Sequence, residues 1–547
     1  MDLSKQLKKV KAEKVFTLLF LACFILQFMF ISYDCLFMMR SHLGYDASAS
    51  LLKASEMLKQ KTLFIGHFMD TTTLQIDSPA PLAAFFHIFI KDIFLSYGIA
   101  LWLLDIAFFT LFYFTTKSLK LSKLASVISL NLVSMSYLDM LFNNVNDLGY
   151  YSCMYVNFGA SLVKMGIMVM VIKVVADFVN TEKPEKKQLI FAACTEVMLF
   201  IAGLSSGLYL AVSILLPLAV LLIISVSVKN DLSILKRPLA FFLYIGIGLS
   251  LIGKAILSFG LGFESRDSIM ALIPLEDFWK NFTSIFLGFL QLTGALPTEA
   301  AGEVRVFTRN GIDFVLALVV VTVLIVGFIY LCRQSLKKYD KSLPQAYLSI
   351  VIVLNVLMFS VLKMTYSAGI YEYRYLIPFL IILSLSTGFF VDSIPAKEIF
   401  KYFGLTLLLF AVLGSNILDH RLYQSKVIDI NEYDEIKRIV NEQDPGVIYG
   451  FGEDIRVDVR NMRVVDLDHI YKTVQAWNPV DLFHYGGDYK YYDYLTDAPQ
   501  RNMLIVTSEN LPNVPASLLE NYTYVTTSGK YLIYISDTNV IEQGGYV

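Results

Sequence analysis

The stretch that decides the reading runs from Gly44 to Phe94: GYDASASLLKASEMLKQKTLFIGHFMDTTTLQIDSPAPLAAFFHIFIKDIF. It joins two apolar runs, near 15–39 and 95–116, each long enough to cross a bilayer as a helix. Leu51, Leu52, Ala54, Ser55 and Leu58 fall at helical spacing, which suits a helix lying on a membrane surface. Pro79 and Pro81 stop one element and start another, so Leu82 to Phe94 reads as a second interfacial helix. Asp46 stands just beyond the first span, where a helix end meets water. A carboxylate there can take a proton from an acceptor hydroxyl or amine, or ligate a divalent cation. The plainer role is a helix cap or a solvated loop charge.

Outside this loop the chain is mostly bilayer-like. Of 547 residues, 56% are hydrophobic and 17% charged, against roughly 25% charged in soluble domains. That balance excludes a soluble enzyme and a disordered chain, and a net charge of −2 leaves no basic footprint for nucleic acid. About eleven spans are expected, near 15–39, 95–116, 122–141, 156–178, 188–205, 207–228, 238–260, 312–332, 345–365, 374–392 and 400–418. Gly203-Leu-Ser-Ser-Gly207 reads as a tight hairpin between the fifth and sixth. Alternate loops are basic, from Lys5–Lys14 through Lys117/Lys120/Lys123 to Lys397/Lys401. By the positive-inside rule the N-terminus is cytoplasmic and the C-terminus extracytoplasmic, in a plasma membrane.

The expected fold is therefore a polytopic α-helical membrane domain over 1–418, with outer loops 41–94 and 261–311. A small soluble α/β domain follows over 419–547. Its strands are Gly446–Gly450, Met503–Thr507 and Tyr531–Ile535, with a helix near 430–442 and a hairpin turning at Ser528-Gly529-Lys530. The apolar run Trp279–Leu290 is too short to span and is expected to dip into the membrane or lie on the bundle. Asp105 and Lys164 fall at similar depths inside spans and are expected to pair. Asn281-Phe-Thr283 and Asn521-Tyr-Thr523 match the N-glycosylation pattern. No Walker motif, H-E-x-x-H, G-x-S-x-G or Cys/His cluster is present.

A first span, an acid, an A-x-x-L-type helix and then Pro79-Ala-Pro81-Leu82 together resemble the GT-C superfamily of membrane glycosyltransferases. These include the O-mannosyltransferase-like and aminoarabinose-transferase-like proteins. Tyr371-Glu-Tyr-Arg-Tyr-Leu-Ile-Pro378 adds to the likeness, because many such proteins carry an R-Y-x-x-P-type motif at the outer end of a late helix. Many relatives have two adjacent acids after the first helix, whereas here Asp46 is followed by Ala47. The resemblance implies a polyprenyl-phosphate-linked sugar as donor, and a glycan, lipid or protein of the envelope as acceptor. It implies Asp46 as general base, faced by Asp147 at the end of the Asn143-Asn-Val-Asn-Asp147 cluster. Together the two carboxylates could hold Mg2+ or Mn2+. Arg374, with Lys363 behind it, would bind the donor phosphate, the guanidinium doing so bidentately. Asp70, His67, Tyr371 and Tyr373 are further loop and acceptor-side candidates. A transporter or flippase of a lipid-linked or polar solute, or a non-catalytic envelope assembly protein, is the alternative. Inverted repeats with broken helices, which would mark the transporter, are not visible.

Overall fold

A computed structural model describes residues 3–65, 73–138, 149–179, 181–261, 270–296, 305–337, 342–364, 373–394, 398–452, 455–474 and 499–541. In chain order, its first helices are α1 (Leu3–Phe37), α2 (Tyr45–Gln60), α3 (Ala80–His87), α4 (Ile93–Ser118), α5 (Lys123–Ser134), α6 (Tyr150–Met154) and α7 (Leu162–Phe178). The next are α8 (Lys186–Ser206), α9 (Leu216–Lys229), α10 (Pro238–Ala255), α11 (Phe278–Leu292), α12 (Arg309–Lys337), α13 (Leu343–Ser360), α14 (Ile377–Ser393) and α15 (Glu398–Gln424). A short ribbon, β1 (Met270–Leu272) with β2 (Leu362–Met364), flanks α11 and α13 in the sequence.

Among the described residues nine helices are long and apolar enough to cross a membrane. Ten of the eleven expected runs coincide with long or medium helices, and the eleventh with a short one; the difference lies in length. α5 is a 12-residue helix and α7 has 17 residues, both short of a full span. α5 starts at Ser122, whose hydroxyl accepts from Ala125 N (3.2 Å), a standard N-cap. α14 carries Pro378 in its first turn, where a missing N–H costs nothing. The expected loop at Gly203–Gly207 is mostly helix: Gly203–Ser206 form the last turn of α8, the chain turns only at Gly207 (φ +68°), and α8 packs on α10 instead of on the helix that follows it.

The chain divides into two compact units. The first comprises 1–35, 72–79 and 101–425, and is the helical bundle. Its closest helix packing is α8 against α10. A Cβ on Gly203 would lie 2.5 Å from the Ser250 carbonyl oxygen, and one on Gly253 2.5 Å from that of Phe200. Small residues at this crossing let the two backbones touch, as in membrane helix pairs generally. One expected contact is absent. Asp105 does not pair with Lys164; it is fully buried and receives Cys35 Sγ at 3.8 Å, while Lys164 is half-buried. Equal depth does not place two side chains on facing sides of their helices.

The second unit comprises 36–71, 80–100 and 426–547. Its tail adds α16 (Ile430–Gln443), β3 (Val447–Phe451), α17 (Arg456–Val465), β4 (Tyr471–Val474), β5 (Asn502–Thr507), α18 (Ala516–Leu519), β6 (Thr523–Ser528) and β7 (Tyr531–Ser536). The strands form one sheet in the order β4-β3-β5-β7-β6. β4, β3 and β5 run parallel, and β7 and β6 antiparallel. β3 and β5 are buried at every position, as parallel strands covered on both faces must be. Their core is Tyr449, Phe451, Leu504 and Val506 with Leu518 and Ile541. The expected helix, strands and hairpin all fall within a residue or two of where the sequence puts them. α15, however, runs on to Gln424, six residues past the expected edge of the span at 418.

The two expected helices of the first outer loop are present, the second of them shorter than expected. α2 begins after Gly44 and ends at Lys61 in the left-handed region (φ 52°). α3 starts at the Pro79/Pro81 turn and packs on α2. It stops at His87 rather than running to Phe94. Asp92 then caps the next helix, accepting from Phe94 N (2.8 Å) and Leu95 N (3.3 Å).

Candidate active site

The second unit holds Asp46. It lies in the first turn of α2 and is half-buried. Free N–H groups at a helix start favour negative charge there. α2 is tied down along its length: Ser48 Oγ donates to Asn461 Oδ1 of α17 (2.6 Å), Ser50 meets Tyr97, and Lys53 is fully buried. α17 packs across α2, so the tail domain and the interfacial helix are one body within this unit. Arg40 adds a further tie, an ion pair with Asp434 of α16.

A cavity of about 410 Å3 opens in the same unit. Its walls include Ser55 and Lys59 of α2, His87 of α3, Lys91, Ile93 and Lys437. Lys59 donates to Leu467 O (3.1 Å) and Lys437 to Val465 O (3.0 Å). Both ammonium groups are thus held at the wall. Lys91 is exposed and makes no hydrogen bond or ion pair among the described residues. Of the four cations in the lining, Arg40 pairs with Asp434, Lys59 lies 3.5 Å from Glu56 and Lys437 3.9 Å from Asp466, which leaves the Lys91 ammonium as the one available to an acidic group among the described residues. Ile93, which begins the membrane helix α4, is part of the wall, and Phe85, Ile88 and Phe89 nearby in sequence are exposed. That combination suits a ligand with an acidic polar part and an apolar part.

The first unit holds Arg374. It sits in a 3-10 turn, Tyr373–Leu376, which feeds directly into α14. The residue is half-buried, with its guanidinium 5.6 Å from the Tyr375 ring centre. α11 packs on this turn. It buries Ile285, Phe289 and Leu292 and exposes Trp279, Phe282 and Phe286, an apolar outer face on a 15-residue helix. Asn281, one of the two glycosylation matches, is already engaged. Its Nδ2 donates to Phe359 O (2.8 Å), Ser360 O (3.2 Å) and Leu362 O (2.8 Å). It thereby closes the C-terminal end of α13 and fixes the start of β2. Lys363 lies on β2 opposite Ala271 of β1. Tyr373 shares the Arg374 turn. Asp147, Asp70, His67 and Tyr371 lie outside the described residues.

Two buried carboxylates of the first unit were not singled out by the sequence. Asp77, just before Pro79, accepts from Ser205 Oγ (2.5 Å) and Ser206 Oγ (2.7 Å) at the end of α8. Asp34, near the end of α1, accepts from Tyr151 OH (2.7 Å) and Gln424 Nε2 (2.6 Å), with His420 Nδ1 at 3.5 Å. With donors on both oxygens, each carboxylate ties neighbouring elements together. Asp77 fastens 73–79 to α8, and Asp34 fastens α1 to α6 and α15. The signal for Asp77 was its place between the two interfacial helices. Asp34 had none, because its partners are over a hundred residues away. Among the described residues no group of three or more His, Cys, Asp or Glu could hold a metal.

No protein-family model matches the chain, and no curated protein matches it. Solved structures do. The crystal structure of ArnT from Cupriavidus metallidurans in the apo state matches with a TM-score of 0.58 at 11% identity, over 96% of this chain and 98% of that one. The structure of ArnT from the same organism bound to undecaprenyl phosphate matches with a TM-score of 0.56 at 10% identity, over the same shares. The likeness spans bundle, interfacial helices and tail domain together, and at this identity it speaks to fold. The GT-C-like architecture expected from Asp46, Pro79-Ala-Pro81 and Arg374 is the architecture observed: this chain is a multi-pass membrane protein with the fold of ArnT.

Proposed function

We propose that the protein is a membrane glycosyltransferase using a polyprenyl-phosphate-linked sugar. The observation that carries the reading is the end-to-end likeness to ArnT, one of whose structures is bound to undecaprenyl phosphate. In this reading the N-terminus is cytoplasmic, the C-terminus extracytoplasmic, and transfer takes place on the outer face. Asp46 removes the proton from the acceptor hydroxyl or amine. The freed electron pair attacks the anomeric carbon, the bond from that carbon to the phosphate oxygen breaks, and the configuration inverts. Polyprenyl phosphate leaves with the extra charge, which Arg374 stabilises with Lys363 in support. Asp147 orients the acceptor, or joins Asp46 in holding Mg2+ or Mn2+. Asp70, His67, Tyr371 and Tyr373 are the further acceptor-side candidates. The exposed apolar face of α11 borders the lipid of the donor, and the cavity beside Lys59 and Lys91 seats the polar part of an acidic acceptor.

The test is release of free polyprenyl phosphate. Purified protein in nanodiscs is given a polyprenyl-phosphate sugar together with an envelope extract as acceptor. Release that requires both is the expected result. No donor consumption across hexose and pentose donors, with solute flux through proteoliposomes instead, would overturn the reading in favour of a transporter.

A further inference from the structure

Helices α12 and α15 run antiparallel through the first unit, and their register can be followed residue by residue. Gly414 faces Leu316, since a Cβ there would lie 2.8 Å from Leu316 Cδ1. Ser415 Oγ lies 3.5 Å from Asp313 Oδ1. Arg309 donates to Leu418 O (3.1 Å). Asp313 is thus held between positions 414 and 418 of α15. One helical turn on from Ser415, and on the same buried stripe, lies Asp419; Asn416 precedes it by three positions. Val412, Ser415, Asn416, Asp419 and Tyr423 are all nearly or fully buried, so this stripe faces the bundle.

Among the described residues, protein groups do not complete this cluster. Asn416 and Asp419 are each 1% exposed. Oδ1 and Nδ2 of Asn416, and Oδ1 of Asp419, have no hydrogen-bond partner among the described residues. The other Asp419 oxygen has only Leu138 N, at 3.4 Å. Neither carboxylate forms an ion pair among the described residues, and the hydrogen bond of Arg309 goes to a carbonyl. Two carboxyl groups and an amide in a low-dielectric site thus keep polar atoms unsatisfied, and buried polar atoms are otherwise almost always satisfied.

We propose that Asp313, Ser415, Asn416 and Asp419 bind a divalent cation that joins α12 to α15. All available donors are oxygens: two carboxylates, one amide carbonyl and one hydroxyl. That is a hard-cation set without a soft or imidazole ligand, and mixed neutral and charged oxygens in a loose arrangement suit Ca2+ better than Mg2+, which keeps its waters. The ion would sit at the ends of α12 and α15 nearest 305–309 and 424. It would hold the start of α12 to the end of α15. The site uses neither Asp46 nor Arg374, so it stands or falls apart from the proposed transfer.

The experiment is thermal unfolding of the full-length protein in detergent after exhaustive chelation. Added CaCl2 should raise the midpoint saturably, by about 3 °C or more at full occupancy. MgCl2 should act more weakly, and NaCl at matched ionic strength should not act. Asp419→Asn should abolish the calcium response, while its chelated form is as stable as chelated wild type or more so, because a repelled buried charge is gone. Ser415→Ala should keep the response and shift it to higher calcium. Should Asp419→Asn fail to fold, Asp313→Asn serves for the same comparison. Absence of a saturable response in wild type would show that ordered water completes the cluster and would overturn the proposal. An undiminished response in the variant would do the same.

Discussion

Arg374 and Asp77 illustrate two uses of a charged side chain at the ends of membrane helices. Arg374 is half-buried on a short turn with the Tyr375 ring beside it, and its planar fork of donors is the group proposed to hold the donor phosphate. Arg374→Lys keeps the charge and loses the fork, so turnover should fall by about tenfold, with the donor KM rising. Glu276→Gln, exposed one helix away, should change turnover by less than about threefold. Asp77 is instead consumed by Ser205 and Ser206. Asp77→Leu would strand two hydroxyls at about 1–3 kcal/mol. The expected signature is a lower unfolding midpoint with donor KM unchanged in the fraction that remains folded. At this scale Asp46 and Arg374 could be singled out because each follows a feature visible in one dimension, a span end or a motif. Asp34 was not, since its clamp is assembled from Tyr151 and Gln424, far along the chain.

Elements were the most legible scale, because a run of apolar residues long enough to span must be helical in lipid. Their ends were less so. α15 continues past position 418 although Asp419, His420 and Arg421 break its apolar run. A hydropathy window stops at charges, whereas the helix continues because Asp419 is buried and His420 stacks on Phe30 (4.0 Å). α3 ends early for the opposite reason: Asp92 makes a better start for α4 than an interior residue of α3. Helix contacts were not legible. Nothing one-dimensional distinguishes Gly203 and Gly253 from other glycines, yet they set the α8–α10 crossing. Gly253→Val puts branched carbons against the Phe200 carbonyl and should cost about 1–3 kcal/mol or more. It should be read as lost monodisperse protein on size exclusion, while Gly248→Val, which has open space, should be tolerated.

For the whole molecule, the basic loops and the long spans make one statement about orientation that the fold alone does not. A reporter active only in the cytoplasm, fused after Val547, should be silent, and one active only outside should work. The reverse would move Asp46 and the tail domain to the wrong side for a lipid-linked donor on the outer face. The central claim is that this fold carries out sugar transfer with Asp46 as the base. It is met most directly by comparing wild type and Asp46→Asn in nanodiscs with a polyprenyl-phosphate sugar donor. Asn is nearly isosteric and keeps an oxygen, but it cannot take a proton at neutral pH. The account expects equal unfolding midpoints and a loss of turnover of about 10²–10⁴. Full turnover by a folded Asp46→Asn protein would contradict it.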